Sequence, residues 1–124
     1  MTARNRALAI LGYHKVGLPA ADGWESWYLI PEEIFVRQLN LLNECGWTVI
    51  DLKTFVAGLA DPDRLPERAV LLTFNDGYLQ FLDWAIPCLV SFGFPAVMFV
   101  STDHVGGRNE WDANTDQPLE RICG

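Results

Sequence analysis

Apolar residues along this chain switch between two spacings, short continuous runs and the i, i+3, i+4 stripe of a helix. Ala7–Gly12 is a continuous apolar run of the kind a buried strand shows. Lys15 to Leu29 breaks the pattern with glycine, alanine and aromatic residues, and is expected to be a long loop. Pro31 then opens a helix, with Glu32 and Glu33 at the positive end of its dipole. The inward stripe of that helix is Phe35, Leu39 and Leu42, and Gly46 supplies its stop. Trp47–Ile50 reads as a second strand. Asp51 caps a second helix whose stripe, Leu52, Phe55, Val56 and Leu59, repeats at i, i+3, i+4 and i+7.

Asp61 to Glu67 carries two prolines and four charges and reads as a surface loop. Ala69–Phe74 follows, apolar almost throughout, as a parallel strand covered on both faces should be. A third helix is expected from about Tyr78 to Phe92, with Phe81, Leu82, Ala85, Ile86 and Leu89 inward. Pro87 should kink or divide it, and Gly93 should close it. Pro95–Val100 is a fourth strand. From Ser101 to Gly124 the periodicity fails, and the segment reads as a loop-like tail that covers little. Strands and helices in alternation point to right-handed βαβ units around a parallel sheet, an α/β fold. Four such strands leave exposed edges, so the chain is expected to be the first part of a longer domain.

Composition narrows the function classes. Half of the 124 residues are hydrophobic and 20% are charged, which suits a globular domain with a real core. The formal charge of −7 repels phosphate backbones, so a nucleic-acid partner lacks its electrostatic footprint. The basic Met1–Arg6 and the short apolar Ala7–Leu11 fall short of a signal peptide, because Tyr13-His14-Lys15 interrupts them. No apolar run approaches the length of a membrane span, roughly 18 residues. Cys45, Cys88 and Cys123 share no metal-binding spacing, and the first two are expected to be buried thiols on helix faces.

Reactive groups in parallel α/β folds gather at the carboxyl ends of strands. That rule selects Tyr13-His14, Asn75-Asp76-Gly77 and Ser101–His104. Gly77 permits a sharp turn that leaves the Asp76 carboxylate facing a cleft, where it could coordinate a cation. The same triplet also serves simply to turn the chain and cap the next helix. His14 reads equally well as a strand-end histidine bonded to backbone, and His104 beside Asp103 as a solvated pair. Trp24, Trp27, Tyr28 and Trp111 fall in expected loops near the cleft, where aromatic rings either stack on sugars or cover the edge of a core.

Leu71-Leu72-Thr73-Phe74-Asn75-Asp76-Gly77-Tyr78 resembles the T-F-D-D-G-Y motif of the polysaccharide deacetylases, the NodB-type carbohydrate esterases. Leu11-Gly12-Tyr13-His14-Lys15-Val16 resembles the Y-H-x-V opening of one branch of that family. Pro31-Glu32-Glu33-Ile34-Phe35, Leu65-Pro66, Ala85-Ile86-Pro87-Cys88-Leu89, Phe94-Pro95-Ala96, Val105-Gly106-Gly107 and Trp111-Asp112 follow in the family's order and spacing. The resemblance implies that residues 1–124 are the N-terminal part of a distorted parallel (β/α) barrel, incomplete at the C-terminus. It also implies hydrolytic removal of acetyl groups from an N-acetylated polysaccharide, with a divalent metal, zinc, in the complete domain. It gives Asp76 the metal-ligand position, Asn75 the general-base position and His14 a place near the cleft as an acid. Tyr13, Trp27 and Trp111 would contact the sugar.

Two departures bear on activity. Asn75 is an amide where the family carries a carboxylate, and an amide cannot take a proton from water. General-base catalysis is worth ~10²–10⁴-fold, so turnover should be slow or absent. The family's H-x-x-x-H is missing, since His14 and His104 are the two histidines present. Zinc needs about three protein ligands, so this chain alone should bind it weakly or not at all. The rival reading is a catalytically inactive carbohydrate-binding relative. An aspartyl phosphotransferase ranks last, because the lone Asp follows the third strand instead of the first. Exposed apolar surface should also make the chain self-associate.

Overall fold

The computed structural model describes residues 6–18, 28–114 and 119–124. Strand β5 (Arg68–Asn75) is the spine of a parallel sheet. β1 (Ala7–Tyr13) runs along one side of it, in register from Ala7 opposite Arg68 to Tyr13 opposite Phe74. The other side pairs with β4 (Thr48–Val49) near the start of β5 and with β6 (Val97–Phe99) near its end. A separate parallel pair joins β2 (Lys15–Gly17) to β3 (Leu29–Pro31). Among the described residues three α-helices accompany the sheets: α1 (Glu32–Glu44), α2 (Leu52–Ala60) and α3 (Ile86–Phe92). The α/β alternation is as the periodicity predicts. Among the described residues β1 pairs with β5 alone, and the sheet does not close into a barrel.

β5 earns its apolar sequence by having both faces covered. Val70, Leu72 and Phe74 join Phe35 and Leu39 of α1 and Leu89 of α3 in the main cluster. Ala69 and Leu71, on the opposite face, pack with Ile50, Phe55 and Leu65. Tyr13 stacks on Phe74 at 5.2 Å between ring centres and meets Phe35 edge-on, which locks the carboxyl ends of β1 and β5 together. Asp51 caps α2 by accepting the Thr54 N–H at 2.8 Å, as its position predicts.

Several expectations need correction. The Lys15–Leu29 loop contains β2 and the first residue of β3. The second and fourth strands shrink to two and three residues, because only those positions pair with β5. On α2, Leu52, Val56 and Leu59 are exposed; Gly58 is the buried residue, against Leu65. In the third helix, residues 81–85 form a π turn before α3 begins. The wider turn shifts the phase, so Ala85, Cys88 and Leu89 are buried while Leu82 faces out. Pro87 falls at the start of α3, where it lacks no needed N–H. Cys45 is exposed beyond the end of α1.

The largest correction concerns the tail. Residues 119–124 return to the loop after β5. Leu79 N–H donates to the Arg121 carbonyl at 2.9 Å, and Cys123 N–H donates to that of Gly77 at 2.8 Å. Ile122 is buried there, and so is Asn109.

Candidate functional site

The end of β5 carries the site because the backbone reverses there. Asp76 adopts a left-handed conformation at φ 78°, and Gly77 follows at 72°. Left-handed geometry is unusual for a residue with a Cβ, although Asp tolerates it better than most. The Asp76 N–H donates to the Phe99 carbonyl at 2.8 Å, which ties the turn to the end of β6. At Gly77 a Cβ would press on Val100 at 3.3 Å, so the tight approach favours glycine twice over.

That turn presents Asp76 to His14, which follows β1 on the neighbouring strand. Asp76 Oδ2 lies 2.8 Å from His14 Nδ1, and both side chains are roughly a third exposed. An ionised carboxylate only accepts, so Nδ1 is the donor and the histidine ring is oriented by the aspartate. The pair opens into a cleft of about 250 Å³ lined by His14, Tyr28, Asp76, Tyr78, Trp111 and Asp112. Tyr28 stands edge-on to His14 at 5.1 Å. Trp111 stands edge-on to Tyr78 at 6.3 Å and to His104 at 4.8 Å. Burial holds the Tyr78 phenol well above its ordinary pKa, and the charges of Asp76, Asp112 and Glu120 push the same way.

The residues singled out from sequence divide three ways. His14, Asp76 and Trp111 come together around the cleft. Asn75 sits beside it, its Nδ2 donating a long bond of 3.5 Å to the Tyr13 carbonyl. Tyr13 belongs to the core: it is 4% exposed, its hydroxyl donates to Gln38 Oε1 at 2.8 Å, and it is not among the residues that line the His14–Asp76 cleft. Trp27 and Trp24 lie outside the described residues. His104 is bonded to Ser101 Oγ at 2.8 Å and packed on Trp111 instead of forming a solvated pair with Asp103. Sequence reasoning gave no role to Tyr78 and Asp112, which line the cleft, or to Lys15, Asn109 and Glu120, which lie behind it. Their signal is a buried charge and a distant strand pairing, neither of which has a local pattern.

The described residues do not fit a zinc site by themselves. No group of three or more His, Cys, Asp or Glu able to hold a metal occurs among them, so the Asp76–His14 pair lacks a third ligand there.

No family model matches the chain. The poly-β-1,6-N-acetyl-D-glucosamine N-deacetylase of Escherichia coli K12 is 31% identical over 87 residues, covering 70% of this chain and 13% of that protein. Its counterpart of the same name in Staphylococcus epidermidis is 27% identical over 121 residues, 90% of this chain and 41% of that one. IcaB from Ammonifex degensii matches in structure with a TM-score of 0.79 and 30% identity, over 98% of this chain and 46% of that chain. The chain belongs to the NodB-type polysaccharide deacetylases and matches part of their domain. It spans less than half the length of these deacetylase relatives. Among the described residues no helix is long and apolar enough to cross a membrane.

Proposed function

We propose that the cleft binds an N-acetylated polysaccharide, with Asp76 in the metal-ligand position of a deacetylase and hydrolysis impaired by Asn75. The observation that carries this reading is the Asp76–His14 pair at the carboxyl ends of two adjacent parallel strands, open to a cleft with aromatic walls. Tyr28 and Trp111 offer faces to sugar rings, and Asp76, His14 and Asp112 offer polar partners to hydroxyl and amide groups. Poly-β-1,6-N-acetyl-D-glucosamine, the polymer named for the curated relatives, is the first substrate to test. Residues 1–124 are read as the N-terminal part of one barrel domain, on the strength of the motif order and the parallel sheet.

The alternative, a glycan-binding relative without catalysis, is favoured by one feature. Asn75 cannot act as a general base, and its amide is already directed at the Tyr13 carbonyl. Two measurements separate the readings. Binding of N-acetylglucosamine oligomers, followed by calorimetry, should be weakened by Trp111→Ala and Asp76→Ala. Acetate release with added zinc should be absent or slow in the natural sequence, and about 10²–10⁴-fold faster in Asn75→Asp if a catalytic site is otherwise present. Binding with no release in either form selects the silent relative. No binding at all rejects both.

A further inference from the structure

Lys15 is 2% exposed, although a lysine is almost never fully buried without a partner. Its Nζ lies 2.8 Å from Glu120 Oε2 and 4.7 Å from the centre of the Tyr78 ring. The contact with Glu120 is ionic, off the direction of a hydrogen bond. Burying two charges sacrifices their hydration, and their attraction returns this only in good geometry, so net stability is a poor explanation for the pair. What the pair joins is more informative.

Each side of the cleft is linked to this one residue. The Lys15 N–H donates to the Tyr28 carbonyl at 3.1 Å, which holds one aromatic wall. Its ammonium lies over Tyr78, which packs on Trp111 in the opposite wall. Through Glu120 it reaches the polar floor. Asn109 N–H donates to the Glu120 carbonyl at 3.2 Å, Glu120 N–H donates to Asn109 Oδ1, and Asn109 Nδ2 donates to Asp112 Oδ2 at 2.9 Å. Lys15 itself does not line the cleft.

We propose that Lys15 is a positioning residue: its buried ammonium anchors Glu120 and the Tyr78 ring, and so sets the placement of Tyr78, Trp111 and Asp112 opposite Tyr28 and His14. The inference concerns the shape of the cleft. It holds whether the cleft hydrolyses its glycan or only binds it, so it can fail or survive independently of that reading.

Nuclear magnetic resonance and amide exchange on the whole chain test it. Lys15→Met keeps most of the stem and deletes the charge. The Leu79, Ile122 and Cys123 amides, which hold the 119–124 segment to the site, should then exchange about tenfold or more faster relative to those of β5. The Trp111 indole and His14 ring signals should shift with them. Glu120→Gln should reproduce this pattern, and it supplies the answer if Lys15→Met does not fold. The double variant should perturb these signals no more than the worse single variant, because each removes the same interaction. Equal acceleration of the β5 and 119–124 amides, with the Trp111 and His14 signals unmoved, would overturn the proposal and leave the pair a general contributor to stability.

Discussion

Tyr78 and Asp76 show how much of the site's chemistry is decided by single residues. Asp76 accepts an uncommon left-handed backbone, and in that conformation its carboxylate meets His14 at 2.8 Å. Tyr78, two residues on, is buried among three carboxylates, so its phenol stays neutral far into the alkaline range. Burial raises Tyr13 as well, and raises the thiols of Cys88 and Cys123. In the unfolded chain these groups ionise at roughly pH 8.5 for thiols and 10 for phenols. The unfolded state therefore releases protons first, and stability falls as pH rises from there through the higher folded values. Below the unfolded values the contribution is fully present. Urea midpoints should be level near neutrality and decline from about pH 8.5 upward, more steeply above about pH 10. Tyr78→Phe should make the decline shallower; an unchanged slope would assign the alkaline loss to other groups.

At the scale of elements, α2 sets helix propensity against packing. Glycine within a helix is about 1 kcal/mol worse than alanine, so Gly58→Ala should stabilise on local grounds. The structure reverses that sign. A Cβ at position 58 would fall 2.3 Å from Leu65 Cγ and Cδ2, and overpacking of this kind costs about 1–3 kcal/mol. Gly58→Ala should therefore destabilise by about 1 kcal/mol net in chemical denaturation. In a Leu65→Ala background the same change should become stabilising, since the obstruction is gone. Stabilisation in the natural background would mean that Leu65 moves aside freely.

At the scale of the whole molecule, the apolar surface is uneven. Leu52, Val56 and Leu59 of α2 and Leu8 and Ile10 of β1 are exposed, with Leu59 at 64%. Leu8 and Leu59 also line an apolar groove of about 290 Å³ that runs past Pro62 and Pro66. Contiguous apolar surface drives association, and the net charge of −7 opposes it without covering it. Sedimentation across the micromolar range should show concentration-dependent self-association. Val56→Lys with Leu59→Lys should reduce it while leaving the unfolding midpoint nearly unchanged, because neither side chain is in the core. A single monomeric species at every concentration would remove this expectation.

The sequence by itself determined what local physics can determine. Alternating apolar runs and stripes were enough for the parallel α/β order, and the almost wholly apolar Ala69–Phe74 for the central strand. Asp51 was legible as a cap and Gly93 as a helix stop, since both depend on neighbours a few residues away. Asn75-Asp76-Gly77-Tyr78 was legible because it sits where a parallel strand ends. Only tertiary structure decided which stripe found a partner. Leu52, Val56 and Leu59 have a helix's spacing, but periodicity carries no information about what lies opposite. The same limit hid Lys15: at the start of an expected loop nothing local marks a lysine as buried, and its partner Glu120 lies 105 positions away. Residues 119–124 lack periodicity because they are held by backbone pairing to Gly77 and Leu79, and backbone hydrogen bonds demand no particular side chains.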